Sequence, residues 1–513
     1  MNLSNVLVRI AARQPDAVAV RFGGDELTFA QFVSVSRRLA AFLDSVGVVP
    51  GDRVGIYASN RLESLPLLAG IWMAGAIAVP YNLSVPRGPL RHAVEDSDPT
   101  VIVVADTEVE LIQDVCDGLR GAERIVSVGP KAATAGASWT WDDALTLPER
   151  DQIAPRLDDD EALLMYTSGS TGTPKGVRQT HRTTGAAVEA TIDAFDLTME
   201  SSALVCTPLF HVGGLQLISL PVLFAGGSVT LMAKWDPAGW VELARRWSPT
   251  YVALVPTMAI DIANRMGAGA VEPVHLSSVR ICAVGGSGLP DGPLRRFRDA
   301  TGIDSVINIY GQTEQNGLAA CERIGENPLP VCLGRPLEQV VQWQLVDPIS
   351  QERVDANSGE IGELQVRGDA VTPGYWNRPD ANAERFVGGW FRTGDLMRIR
   401  PDGQLEYVER IDDMIISGGE NVYPQMVENY LASSPDIAEV AVIGTPHERW
   451  VEQVTAIVVA SREGVTVADI AAFCQHHPDL RGLSRPRRIE MVAALPRTGN
   501  NKINKPELKK MFR

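Results

Sequence analysis

Short apolar runs recur through the first two thirds of the chain, separated by stretches with helical spacing. Val101-Ile-Val-Val104, Ala203-Leu-Val-Cys206, Ser228-Val-Thr-Leu231, Tyr251-Val-Ala-Leu-Val255, Val279–Val284 and Asp304–Ile309 are the clearest. Uninterrupted apolar runs signify strands buried on both faces, and the helical spacing between them signifies crossover connections. Together they predict βαβ units and parallel sheet covered by helices. Ligands of such sheets sit at the carboxyl ends of strands. Two runs end in suitable residues: Val284 leads into Gly285-Gly-Ser-Gly288 and Ile309 into Tyr310-Gly-Gln-Thr-Glu314. A third, Ala162-Leu-Leu-Met165, leads into Tyr166–Val177. The three strand ends are candidates to converge on one pocket.

The last of these is the densest cluster of small and hydroxyl residues in the chain. From Thr167 to Gly176 it reads Ser168, Gly169, Ser170, Thr171, Gly172, Thr173, Pro174 and Lys175 in between. No helix or strand period fits it, which predicts a loop. Its N–H and hydroxyl groups can turn toward one anion while Lys175 supplies charge, and triphosphate is the natural guest. It is not a Walker loop, because that pattern sets Lys between Gly and Ser or Thr, whereas Pro174 precedes Lys175 and Gly176 follows it. On local grounds alone the cluster also reads as a surface linker.

Thr28-Phe-Ala-Gln31 fits a capping box, with Phe32, Val35, Leu39 and Phe42 at helical spacing after it. Leu65–Ala74 reads as a second helix, with Pro66 in its first turn. Residues 126–155 carry no clear pattern. From about Leu345 the texture changes, and Gly362-Glu-Leu-Gln-Val-Arg367 alternates as antiparallel, half-exposed strands do. The final hundred or so residues suffice for a small α+β domain. A length of 513 residues is too great for one ordinary core. The net charge of −16, from 47 basic and 63 acidic residues, disfavours nucleic acid as a partner. Six scattered cysteines without a C-x-x-C pair read as buried thiols in a reducing cytoplasm. Neither a signal peptide nor a membrane-spanning run is expected.

Five segments occur in an order that resembles the adenylate-forming superfamily, and within it the acyl-CoA synthetases for fatty and aryl acids. They are Tyr166–Val177, Tyr310-Gly-Gln-Thr-Glu314, Trp390-Phe-Arg-Thr-Gly-Asp-Leu396, Arg410–Asn421 and Pro496-Arg-Thr-Gly-Asn-Asn-Lys502. The resemblance covers essentially the whole chain. It implies a large N-terminal AMP-binding domain, residues 1–410, of stacked mixed α/β sheets with flanking helices plus a distorted barrel. A small mobile α+β C-terminal domain, residues 411–513, would pivot at a hinge on Asp412.

The implied activity is ATP-dependent activation of a carboxylic acid to an acyl-adenylate with pyrophosphate release, followed by transfer to the thiol of coenzyme A. The alternative keeps the adenylate and passes the acyl group to a carrier-protein thiol or an amine. Two anions must be brought together in line, which calls for positive charge and precise placement. The resemblance assigns the loop 167–176 to the ATP phosphates, with Thr167 and Glu314 holding Mg²⁺, a hard cation that takes oxygen ligands. Tyr310 is assigned to the adenine, with Gly286, Ser287, Asn308, Gly311, Gln312 and Thr313 around the nucleotide. Asp395 takes the ribose diol and Arg410 a further ribose or phosphate contact. Lys502 neutralises charge between carboxylate and α-phosphate. Ser417, Gly418, Gly419 and Trp450 face the pantetheine arm. His211, Gly285, Ile309 and Gly311 line the acid pocket, where small residues and a neutral imidazole suit an apolar acid, aromatic or of medium length. Homodimerisation is left open. Three positions depart from the family pattern: Val451 and Asn501 replace glycines, and Ser484 replaces a lysine. A catalytically dead relative would lack the key charges, yet Lys175, Glu314, Asp395, Arg410 and Lys502 are all present.

Overall fold

The computed structural model describes the chain apart from residues 1, 120–123, 130–136, 169–173, 268–274, 287–290, 326–331, 349, 356–357, 418–419, 478–479, 481, 498–502 and 513, and the side chains of 168, 291, 420 and 421. The chain forms two compact units. Residues 1–343 with 366–391 make the first, and residues 344–365 with 392–513 make the second.

The first unit is built on two mixed sheets. The nine-stranded sheet has a parallel interior, in which Val18–Phe22, Ser228–Leu231, Ser202–Val205, Tyr251–Leu254, Ile281–Val284 and Val306–Tyr310 lie side by side. Its antiparallel edges are Asp25–Thr28 on one side and Ala320–Cys321 with Arg335–Pro336 on the other. The seven-stranded sheet is likewise parallel until its last pair, Glu161–Ser168 and Pro174–Thr180, which runs antiparallel. The apolar runs form these strands because helices cover both faces: Leu204, Val252, Cys282 and Val306 share one core with Trp240 and Phe297. Val79, Ile102, Val104 and Leu164 share another with Leu90, Val94 and Ile112. Thr28 and Gln31 make the expected reciprocal cap on the helix Phe29–Ser45.

Two expectations need correction. The loop expected over 167–176 is shorter than its side chains suggest. Thr167 and Ser168 pair with Lys175 and Pro174 as the ends of an antiparallel ladder. A ladder needs only backbone donors and acceptors, and Pro174 is tolerated at the first position of its strand. The strand Gly362–Arg367 is buried along its length up to Val366 rather than half-exposed. Its polar positions are satisfied internally: Glu363 pairs with Arg392 at 2.9 Å and accepts the Gly394 N–H, and Gln365 accepts from Gln344. Residues 126–155, without pattern in sequence, hold the strand Ile125–Val128 and the short capped helix Trp141–Leu145.

The second unit carries a five-stranded sheet in the order Glu420–Val422, Ile415–Ser417, Val451–Ala460, Ile437–His447, with Arg488–Met491 parallel to Val451–Ala460. Pro424–Leu431 and Val467–His476 pack on it through Val427, Leu431, Ile470 and Cys474. All six cysteines are free and buried. Among the described residues no helix is long and apolar enough to cross a membrane.

Candidate active site

In the first unit the geometry centres on Glu314. The strand Val306–Tyr310 ends at Gly311, where a Cβ would fall 1.4 Å from the Gly317 carbonyl oxygen. Only glycine lets the chain turn back so tightly. The next residues form one 3-10 turn, Thr313–Gln315, closed by reciprocal bonds between Gln312 and Gln315. Asn316 then takes a left-handed conformation (φ 53°) and, fully buried, donates to the Ala370 carbonyl and accepts from Thr184. Gln179 donates to the Thr313 carbonyl at 2.9 Å, tying the turn to the strand Pro174–Thr180.

The segment 372–376 lies along the same strand. Arg178 N–H donates to the Gly374 carbonyl at 3.0 Å and Trp376 N–H to that of Gly176 at 2.7 Å. Thr372 N–H donates to the Glu314 carbonyl at 2.8 Å. Tyr375, 5% exposed, therefore stands between the two: its hydroxyl donates to Glu314 Oε1 at 2.9 Å, and Lys175 Nζ lies 5.5 Å from its ring centroid. Lys175 is directly opposite Thr167 across the hairpin, so both project from the same face. Thr167, Lys175 and Glu314 are thus brought together. Their oxygen donors, a hydroxyl and a carboxylate, suit a hard divalent cation. Tyr375 was not singled out from the sequence. Its partner in the hydrogen bond is 61 residues away, so no local pattern marks it.

At the neighbouring strand ends, Val284 and Asn308 are register partners, which sets Gly285 and Gly286 beside Ile309 and Tyr310. A Cβ on Gly285 would meet Ile309 Cγ1 at 2.6 Å. Asn308 is buried and its N–H donates to Glu322 at 2.6 Å, while Tyr310 is 9% exposed. His211 occupies the N-cap position of the short helix Val212–Gly214, its ring centroid 4.6 Å from that of Phe210. A π-turn, Leu215–Ser219, follows directly. Turns of that kind cluster at functional sites. Gly169–Thr173, Ser287, Gly418, Gly419 and Lys502 lie outside the described residues, as does the side chain of Ser168.

In the second unit Asp395 and Arg410 face each other across an antiparallel pair, Arg410 donating to Asp395 Oδ1 at 2.7 Å. Glu409, one residue earlier, is buried and accepts the N–H groups of Arg410 and Gln425. Lys505 Nζ lies 3.0 Å from Glu428 and 3.7 Å from Glu409. Burial disfavours the charge on Lys505, but Glu428, Glu409 and Asp413 outweigh it and hold the ammonium above its ordinary pKa. Burial pushes the Glu409 carboxyl up, with Lys505 opposing. Asp412 sits in the 3-10 turn Ile411–Asp413, and its carbonyl accepts from Lys509 at 3.2 Å. Ser417 is buried opposite Val451. The guanidinium groups of Arg449 and Arg487 stack on the Trp450 ring, 4.6 and 4.7 Å from its centroid. Arg497 bridges Ile503, and Asn504 N–H donates to the Pro496 carbonyl at 2.8 Å.

The family model for AMP-binding enzymes matches residues 7–376, and that for the AMP-binding enzyme C-terminal domain matches residues 426–502. A feruloyl-CoA synthase of Amycolatopsis sp is 36% identical over 513 residues, covering 98% of either protein. The crystal structure of ATP-bound MatB from Rhodopseudomonas palustris superposes with a TM-score of 0.88 at 27% identity, over 100% of this chain and 99% of that one. The anthranilate CoA ligase AuaEII in complex with anthranoyl-AMP gives 0.88 at 26% identity, over 100% and 97%. The chain belongs to the AMP-binding enzymes, the adenylate-forming superfamily, on its acid–CoA ligase branch.

Proposed function

We propose that this enzyme activates an aromatic carboxylic acid with ATP and transfers the acyl group to coenzyme A. A carboxylate oxygen of the acid attacks the α-phosphorus, the α–β bridging bond breaks, and pyrophosphate leaves. The thiolate of coenzyme A then attacks the carbonyl carbon and AMP departs. The observation that carries the reading is that Tyr375 contacts both Lys175 and Glu314. A cation and a carboxylate held by one side chain suit a metal-bound polyphosphate. The aromatic class rests on the full-length likeness to the feruloyl-CoA synthase.

Lys175 grips the departing pyrophosphate end, and the loop 169–173 adds N–H and hydroxyl donors. Thr167 and Glu314 would hold Mg²⁺, which supplies charge neutralisation on the phosphate oxygens when bound. Tyr310 stacks on the adenine beside Gly286, Ser287 and Asn308, while Asp395 and Arg410 hold the ribose. Lys502 neutralises charge at the reacting phosphate. His211, Gly285 and Ile309 border the acid. Residues 411–513 pivot at Asp412 to bring Ser417, Gly418, Gly419 and Trp450 to the pantetheine arm. A panel of aromatic and aliphatic acids, scored by pyrophosphate release and then by AMP formation with and without coenzyme A, tests this. Aromatic acids should rank first and product should require coenzyme A. Preference for aliphatic acids would overturn the acid class, and thiol-independent product would assign the acyl group to an amine.

A further inference from the structure

We infer that Tyr375 is a positioning residue that keeps Lys175 and Glu314 apart and aimed, so that the empty phosphate site does not neutralise itself. The inference rests on the reading of Glu314 as a Mg²⁺ ligand. Lys175 and Glu314 carry opposite charges and both touch Tyr375. Yet among the described residues neither takes part in a salt bridge. The phenol accounts for this. Its hydroxyl donates to one carboxylate oxygen, and its ring face receives the ammonium within the range of a cation–π contact. Each charge thus has a neutral partner, weak enough to give way to a ligand and directional enough to fix its place. A direct Lys–Glu pair would cancel both charges, and an incoming polyphosphate would first have to break it.

The ring can act as a spacer because its own backbone is held. Val177 bridges Tyr375 across the edge of the strand Pro174–Thr180, Gly374 and Trp376 bond to that strand on either side, and Tyr375 N–H donates to Asn382 at 2.7 Å. Behind it, Trp376 Nε1 and Arg378 are tied to Asp96, which also accepts from Tyr166 at 2.7 Å. Tyr166 stands next to Thr167, so one network backs both the hairpin and the ring.

Calorimetric titration of ATP with and without Mg²⁺ tests this on five proteins: the natural enzyme, Tyr375→Phe, Tyr375→Leu, Glu314→Gln and the double variant Tyr375→Leu/Glu314→Gln. Tyr375→Phe keeps the ring and loses the hydroxyl. The gain in ATP affinity from Mg²⁺ should fall about tenfold, the scale of a lost hydrogen bond to a charged group, while Mg²⁺-free affinity stays within about twofold. Tyr375→Leu should lower Mg²⁺-free affinity as well, because Lys175 can then close on Glu314. Adding Glu314→Gln to Tyr375→Leu should restore it. If Tyr375→Phe keeps the full Mg²⁺ gain while Glu314→Gln loses it, the inference about Tyr375 fails and the role of Glu314 stands. If Glu314→Gln also keeps the gain, the reading of Glu314 falls, and this inference with it. Melting curves on each variant separate these outcomes from misfolding, and Tyr375→Phe decides the matter where Tyr375→Leu does not fold.

Discussion

Val451 has a backbone φ of +67°, a region that β-branched residues rarely enter, and its side chain is 72% exposed. It stands opposite buried Ser417 at the start of the strand Val451–Ala460. Strain at such a position costs about 1–3 kcal/mol, whereas glycine forfeits about 0.5–1 kcal/mol of unfolded-chain entropy. The balance favours glycine. Val451→Gly should therefore stabilise the protein by about 1 kcal/mol, read as a rise in the urea midpoint at unchanged slope. An unchanged or lower midpoint would mean that the valine side chain contributes packing that the strain conceals. The replacement of glycine was visible in the sequence through the family resemblance, but the retained backbone conformation was not. Tyr375 shows the opposite limit. Nothing around it in the chain signals chemistry, because its partners Glu314 and Lys175 reach it only through the fold.

Lys505 joins three elements of the second unit. Glu409 ends the strand Leu405–Arg410, Glu428 lies in the helix Pro424–Leu431, and Lys505 opens the helix Lys505–Met511. Its side chain is only 12% exposed, and both carboxylates also accept backbone N–H groups, from Gln425 and Val442 among others. Removing the cation would leave two buried carboxylates facing each other. Lys505→Met should cost about 3–5 kcal/mol, the range for breaking a buried pair from one side. Lys509→Met, on the same helix but with its ion pair to Asp413 at 3.5 Å and more open to water, should cost about 0–1 kcal/mol. Denaturant melts of the two variants side by side check the ranking, and equal losses would contradict it. Such a triad escapes a reading of sequence, since lysine and glutamate are usually solvated. The strand and helix periods were more legible: the capping box at Thr28 and Gln31 opens the helix Phe29–Ser45 as its pattern suggests. The hairpin at Thr167 and Lys175 was hidden because its small, polar side chains carry no period.

At the scale of the whole molecule, the parallel interior of the large sheet was legible because uninterrupted apolar runs have few other homes. The change of texture near Leu345 lies close to the crossing at 343/344, but the crossings at 365/366 and 391/392 left no signal, because they fall inside continuous strands. Global stability should carry the mark of one buried histidine. His181 is 3% exposed, accepts the Leu3 N–H at Nδ1, and packs edge-on to Trp72. Burial, with Arg156 adding, pulls its pKa down to about 4. An unfolded imidazole titrates near about 6.5. Below that pH the unfolded chain takes up a proton that the folded chain refuses, so stability from this group is lost as pH falls toward 4. The loss should reach about 2 kcal/mol by roughly pH 5. Urea midpoints measured across this range should fall for the natural protein and fall less for His181→Asn. Parallel slopes would remove His181 as the cause. Function at this scale divides by half-reaction. The residues on either side of Lys502 in the chain are held by the Arg497–Ile503 bridge and the Asn504–Pro496 hydrogen bond, so losing the lysine charge should not loosen the unit. Lys502→Ala should slow adenylate formation about 10²–10³-fold, the scale of one lost transition-state donor. ATP binding by calorimetry should stay within a few-fold, and thioester formation from supplied acyl-adenylate should persist. Adenylation near the natural rate would take Lys502 out of that role, whereas loss of both half-reactions together would place it in the structure of the unit instead.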